Sequence, residues 1–191
     1  MIGFFYFTTQ FLQGVLGFTP LQAGLGFLPM TVVNFAVASA VPRLLRRLDP
    51  GVLLTLGVAV TLAGTGWLSL AEPGAGYLLP VAAPMVLVGA GQGLAFAPLT
   101  SFGIVDAPAQ EAGAASGLVN TFHQLGMALG LAVLVALTAS VAEPVAEFGL
   151  ALRGATALLS LSLLVVLAGL LPAHRAALAT THTPQHRRIT R

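Results

Sequence analysis

His123 is the only histidine inside a long uncharged apolar run, and Asn120 and Gln124 stand three positions before it and one after. Such offsets fall on one face of a helix, so the three side chains would project together. An imidazole takes up and releases protons near neutral pH, and amides orient a ligand through a few hydrogen bonds. The trio therefore suits proton coupling or ligand capture. It suits equally well a plainer task, hydrogen bonding between neighbouring helices in an apolar medium. Counted along a helix from Ala112, His123 lies about 16 Å deep, near the middle of a hydrocarbon layer of about 30 Å.

Other polar side chains are scattered singly through apolar sequence. Tyr6, Gln10 and Gln13 follow a four-then-three spacing on one helical face, and Asn34 and Gln92 are isolated in separate runs. As a set they fit the walls of a cavity near the membrane centre, and each one alone fits an interhelical tie. Gly89 with Gly93, Gly113 with Gly117, and Gly126 with Gly130 are pairs of small residues four apart, a spacing that lets helix backbones approach closely.

Several chemistries are excluded. The chain has no Cys, which removes disulfides, thiolate metal sites and cysteine nucleophiles. All six acidic residues fall in loops or at helix ends, so no carboxylate dyad sits within an apolar run. Ser116 lies in Gly113-Ala114-Ala115-Ser116-Gly117, which is not a G-x-S-x-G elbow, and no H-E-x-x-H zinc motif occurs. No catalytic residue, metal site or cofactor is expected. The sequence pI near 9.9 does not point to nucleic acid, because the basic residues, all Arg, gather beside apolar segments.

The elements that must position these residues are membrane helices. Of 191 residues 57% are apolar and 7% charged, with a mean hydropathy of +0.93, far from the charge density of a water-soluble surface. Six stretches approach the length a bilayer requires, at about residues 2–18, 21–41, 51–71, 77–99, 112–141 and 150–171. Together they define an all-α transmembrane domain over residues 1–172. A lipid-exposed backbone must satisfy its own hydrogen bonds, which selects helices. Thr19-Pro20-Leu21-Gln22 and Asp49-Pro50 predict capped helix starts, while Glu72-Pro73-Gly74-Ala75-Gly76 and Asp106-Ala107-Pro108 predict turns. The first segment begins as though cut inside a helix, and no cleavable leader precedes it, so it is expected to stay as an anchor.

Positive charge in short loops marks the cytoplasmic side. Arg43, Arg46 and Arg47 lie between the second and third segments, and Arg175, Arg187, Arg188 and Arg191 lie after the sixth. Six spans put both groups on one side, leaving Arg153 near the outer end of the last helix, where it can snorkel to the headgroups. The expectation is a multi-pass plasma-membrane protein with both termini cytoplasmic and a basic, disordered tail over residues 173–191.

Three stretches also carry a family likeness. Gln10-Phe11-Leu12-Gln13-Gly14-Val15-Leu16-Gly17-Phe18-Thr19-Pro20-Leu21-Gln22-Ala23-Gly24-Leu25-Gly26-Phe27-Leu28-Pro29 resembles the junction entering the second half of fourteen-helix drug:proton antiporters of the major facilitator superfamily. Gly89-Ala90-Gly91-Gln92-Gly93-Leu94 and the stretch from Ala112 to Gly126 are similar to later helices of the same family, in the same order. The likeness spans roughly Tyr6 to Leu137. It departs at His123, where the family more often has Arg, at Met127, which replaces a frequent Gly, and in the Arg43 to Asp49 loop, which lacks a Gly. The resemblance implies the last six helices of a multidrug exporter, driven by a proton gradient and carrying hydrophobic or cationic small molecules by alternating access. It implies that Arg43, Arg46, Arg47 and Asp49 form a gating charge network, although they serve equally as a topology anchor. Its partners would be membrane lipid, a small hydrophobic substrate, and either a missing N-terminal half or a second copy. The alternatives are a membrane scaffold, an accessory subunit or an inactive truncated product.

Overall fold

The computed structural model describes residues 1–72, 76–104, 108 and 110–170, all helix or short connection. The expected tail over 173–191 with its four Arg, Asp106, and residues 73–75 of the first predicted turn lie outside them. The helices are α1 (Ile2–Gly14), α2 (Pro20–Gly26), α3 (Leu28–Leu44), α4 (Pro50–Leu68), α5 (Ala83–Ile104), α6 (Ala112–Thr138) and α7 (Pro144–Val165). A π-helical turn, Leu78–Ala82, leads into α5, and a second, Val166–Leu170, extends α7.

Among the described residues five helical stretches are long and apolar enough to cross a membrane, rather than six. The difference is α1, which has 13 residues where about 20 are needed. It stops at Gly14, short of the expected Phe18, and the chain turns through Gly17 at φ +70°, a left-handed conformation that favours glycine. The second span runs from Pro20 to Leu44 as two pieces that meet at Phe27. Pro29 sits at the start of α3 and has no N–H to continue the α2 ladder.

Caps explain the other boundaries. Thr19 and Gln22 form a reciprocal capping box, the Thr19 hydroxyl accepting from the Gln22 N–H at 3.3 Å and the Gln22 Oε1 accepting from the Thr19 N–H at 2.9 Å. The Asp49 carboxylate accepts from the Gly51 N–H at 2.7 Å and opens α4. Glu143 does the same for α7 by accepting from the N–H groups of Val145 and Ala146. That helix therefore starts at Pro144, six residues before the expected Leu150, and Arg153 lies on its exposed side beyond the second turn.

α5 is the centre of the bundle, packed between α3 and α4 through glycine. A Cβ at Gly89 would overlap the Met30 carbonyl of α3, and one at Gly93 would lie 2.8 Å from the Asn34 carbonyl oxygen. On the opposite side a Cβ at Gly91 would lie 2.6 Å from the Gly57 carbonyl oxygen of α4, and Gly57 meets the Ala95 backbone in return. Gly89 and Gly93 thus close-pack as a pair. Among the described residues, Gly113, Gly117, Gly126 and Gly130 of α6 have no atom beyond their own helix turn within 4 Å of where a Cβ would stand.

The main apolar core gathers at the end of the bundle near Tyr77, from Phe4, Phe7 and Phe11 of α1, Leu68 of α4, Met85 of α5, Leu134 of α6, and Phe148 and Leu152 of α7. Phe11 and Phe148 stack with ring centroids 4.3 Å apart, joining the first helix to the last. At the Arg43 to Asp49 end the buried cluster shrinks to Leu54, Ala95 and Val166. The apolar core is thus larger at the Tyr77 end than at the other.

The Tyr77 hydroxyl donates to the Gly26 carbonyl, at the break between α2 and α3. Tyr77→Phe would leave that half-buried oxygen without its donor, which costs about 1 kcal/mol. The expected result is a lower melting temperature of the purified chain with its secondary structure kept. An unchanged melting curve would show that the bond contributes nothing.

Candidate functional site

Along α5 and α6 two cavities follow each other. The central one, about 270 Å³, lies between α1, α4, α5, α6 and α7, and its lining includes Thr61, Thr65, Gln92, Met127 and Ser162. The second is a cleft of about 570 Å³ between the last turns of α5 and the first half of α6, lined by Phe96, Thr100, Phe102, Ser116, Asn120 and His123 among others. They adjoin one turn apart on both helices, from Gln92 to Phe96 on α5 and from Gly126 to His123 on α6. The rings of Phe96 and His123 stand at that boundary, centroids 6.2 Å apart and edge to face.

The cleft exists because α6 is buried mainly near its far end, its first half touching α5 at Val119 beside Gly103 and at the His123–Phe96 pair. Leu134 and Thr138 are buried, whereas most of Ala112 to Gln124 is exposed, including Asn120, His123 and Gln124. Asn120 and His123 both line the cleft. Neither makes a hydrogen bond to another described residue, and the same holds for Gln92 in the central cavity. Polar side chains in apolar surroundings are normally paired, so amides and an imidazole left open toward a cavity are groups a ligand or water can satisfy. The Thr100 hydroxyl donates to the carbonyls of Phe96 and Ala97 and the Ser116 hydroxyl to that of Ala112, so both can only accept from a ligand.

The remaining polar positions are placed elsewhere. The Asn34 Nδ2 donates to the Gly89 carbonyl at 3.2 Å, which ties α3 to α5 at their close glycine contact. Tyr6, Gln10 and Gln13 share the exposed side of α1, with the Gln10 amide reaching the Tyr6 hydroxyl at 3.5 Å, and they line neither cavity. Gln124 is exposed beside the cleft without lining it. Arg43 lies in the last turn of α3, Arg46 and Arg47 are exposed in the following turn, and Asp49 caps α4.

Sequence spacing missed the aromatic part of the cleft, Phe96, Phe102 and Phe122, because single phenylalanines in an apolar run carry no distinguishing signal. It also missed Gly57, Gly64 and Gly91, which pack α4 against α5. Gly57 and Gly64 are seven apart and so share a helical face, a signal that a search for four-residue pairs passes over.

Comparison with known proteins gives the same direction. The Major Facilitator Superfamily model matches residues 1–131. The cephamycin export protein of Amycolatopsis lactamdurans is 42% identical over 136 residues, 71% of this chain and 28% of that protein. The puromycin resistance protein of Streptomyces alboniger is 35% identical over 138 residues, 70% of this chain and 27% of that protein. The multidrug efflux pump of Mycolicibacterium smegmatis is 32% identical over 134 residues, covering 70% of this chain and 26% of the pump. In each case the matched region is about a quarter of the relative's length.

Proposed function

Because this multi-pass membrane chain belongs to the Major Facilitator Superfamily, we propose that it forms one wall of a proton-driven exporter of small hydrophobic molecules. The observation that carries this reading is the run of unpaired polar side chains, Gln92, Asn120 and His123, facing two adjoining cavities in an otherwise apolar bundle. A scaffold that used its small-residue faces only for association would have no use for such groups. The names of the relatives, export and resistance proteins, support a transporter over an enzyme.

Alternating access rocks two bundles about a site near the membrane centre, so this wall requires another, from an N-terminal half or a second copy. The larger core near Tyr77 and the cleft between α5 and α6 toward the Arg43 end fit a conformation open to the cytoplasm, with the Arg-rich loop cytoplasmic as the positive-inside rule predicts. Asn120, His123 and Gln92 are assigned to the substrate path and Arg43, Arg46, Arg47 and Asp49 to the gate at its cytoplasmic mouth. The remaining polar candidates, Tyr6, Gln10, Gln13 and Gln124, would meet the substrate or the opposing wall.

The native chain has no Cys, so single cysteines report cleanly. In native membranes Asn120→Cys should react with a water-soluble maleimide added on the cytoplasmic side, while Leu118→Cys and Leu129→Cys should stay unlabelled. Leu48→Cys should label from the cytoplasm and Glu147→Cys from outside. A silent Asn120→Cys would favour the scaffold, and external labelling of Leu48→Cys would reverse the orientation.

A further inference from the structure

The chemistry of the cleft between α5 and α6 defines a ligand more narrowly than the hydrophobic or cationic compounds the family likeness implies. Its walls are the rings of Phe96, Phe102 and Phe122, which favour a flat aromatic body. Its unpaired polar groups are the Asn120 amide and the His123 imidazole, on one face of α6 and three residues apart. The charges around it are as telling. α5 has no ionisable side chain, and on α6 the others are absent apart from Glu111, at its N-cap about 18 Å along the helix from His123. On the two other helices packed against α6, Tyr6 and the Met1 amino group of α1 and Glu147 and Arg153 of α7 line no part of the cleft. Asp106 lies outside the described residues.

A permanent cation placed here would lose its hydration and meet no anion among the described residues, a costly combination in an apolar site. A carboxylic acid brings its own counter-charge. We propose that the cleft binds an aromatic carboxylic acid, whose proton passes to the free ring nitrogen of His123. The acid O–H bond breaks, an imidazole N–H bond forms, and the resulting carboxylate and imidazolium remain as a hydrogen-bonded pair of zero net charge. The Asn120 amide then donates to the second carboxylate oxygen, and the aromatic body lies among the phenylalanines. This inference rests on the reading of the chain as one wall of an exporter, and it assigns that wall its substrate class.

The test uses the purified 191-residue chain in nanodiscs of zwitterionic lipid and three probes of one shape: 2-naphthoic acid, its methyl ester, and trimethyl(2-naphthylmethyl)ammonium. Naphthalene fluorescence anisotropy, with empty nanodiscs subtracted, should show the acid binding at least about tenfold more tightly than the cation, with the ester between. In His123→Gln the acid should fall to the level of the ester, since an amide can hydrogen-bond but cannot take the proton. His123→Asn is the second variant should Gln disturb the fold, and Phe96→Ala should weaken all three probes together. Tighter binding of the cation, an acid preference that survives both His123 variants, or an acid signal no greater than that of empty nanodiscs would each overturn the proposal. If Asn120→Cys labels from water while no acid preference is found, the ligand class fails and the transporter reading stands; if the labelling is absent, the transporter reading fails first.

Discussion

Gly91→Ala is expected to lose most of the folded protein. A Cβ at this position would overlap the Thr61 hydroxyl and lie 2.5 Å from the Thr61 nitrogen and 2.6 Å from the Gly57 carbonyl oxygen. Two of those three atoms are backbone, which cannot swing aside as a side chain can. One extra methyl group in a well-packed interior costs about 1–3 kcal/mol, and more when helices must separate to admit it. Here separation would pull α4 from α5, and α5 also holds α3 through Gly89 and Gly93. The expected effect is therefore at the upper end or beyond, a large fraction of the marginal stability of a folded domain. Gly130→Ala is the matched control, since among the described residues no atom of another helix lies within 4 Å of its added methyl, and should elute and melt as the native chain does. Size-exclusion profiles and melting curves in detergent give the answer. A monodisperse Gly91→Ala protein with native melting would mean that the α4–α5 contact is looser than described.

The second large effect is an absence of transport. The purified chain, reconstituted alone into liposomes with an imposed proton gradient, should show no saturable movement of a hydrophobic dye. Its cleft is bounded by α5 and α6, and α6 leaves most of its first half uncovered, so a substrate there has one wall and, among the described residues, nothing opposite. The matched length, about a quarter of each relative, agrees with that geometry. Exposed small residues at Gly113 and Gly117 should also make the isolated chain associate. Saturable, uncoupler-sensitive export by a demonstrable monomer would defeat the reading of one wall. Export by a dimer would instead identify the second copy as the partner.

Which parts of this were legible beforehand follows from which signals are local. Membrane helices, their approximate positions and two capped starts could be read because apolar runs and the Thr-Pro and Asp-Pro pairs act over a few residues. The Glu143-Pro144 start carries the same signal, but the polar residues of its first turns masked it, so the last helix was expected six residues late. Partner choice was not legible. Asn34 and Gln92 look alike in sequence, yet one is spent on the Gly89 carbonyl and the other faces a cavity, a distinction made by how α3 leans on α5. Likewise the three four-residue glycine pairs are equivalent on paper, and among the described residues only Gly89 with Gly93 meets a neighbouring helix. The phenylalanines of the cleft became distinguishable from core phenylalanines only once the lean of α6 was known.

The stack of Phe11 on Phe148 has a further consequence, in time rather than in space. The two rings are 137 positions apart. At translation speeds of about 5–20 residues per second, Phe148 is made roughly 7 to 27 seconds after its partner. Throughout that interval α1 has no native surface from α7 to rest on. α5 packs on both α3 and α4, the two helices just before it in sequence, so the three can assemble while synthesis continues. α1 would then settle late, and a ribosome stalled shortly before residue 148 should carry a nascent chain with α3 to α5 joined and α1 still unclaimed.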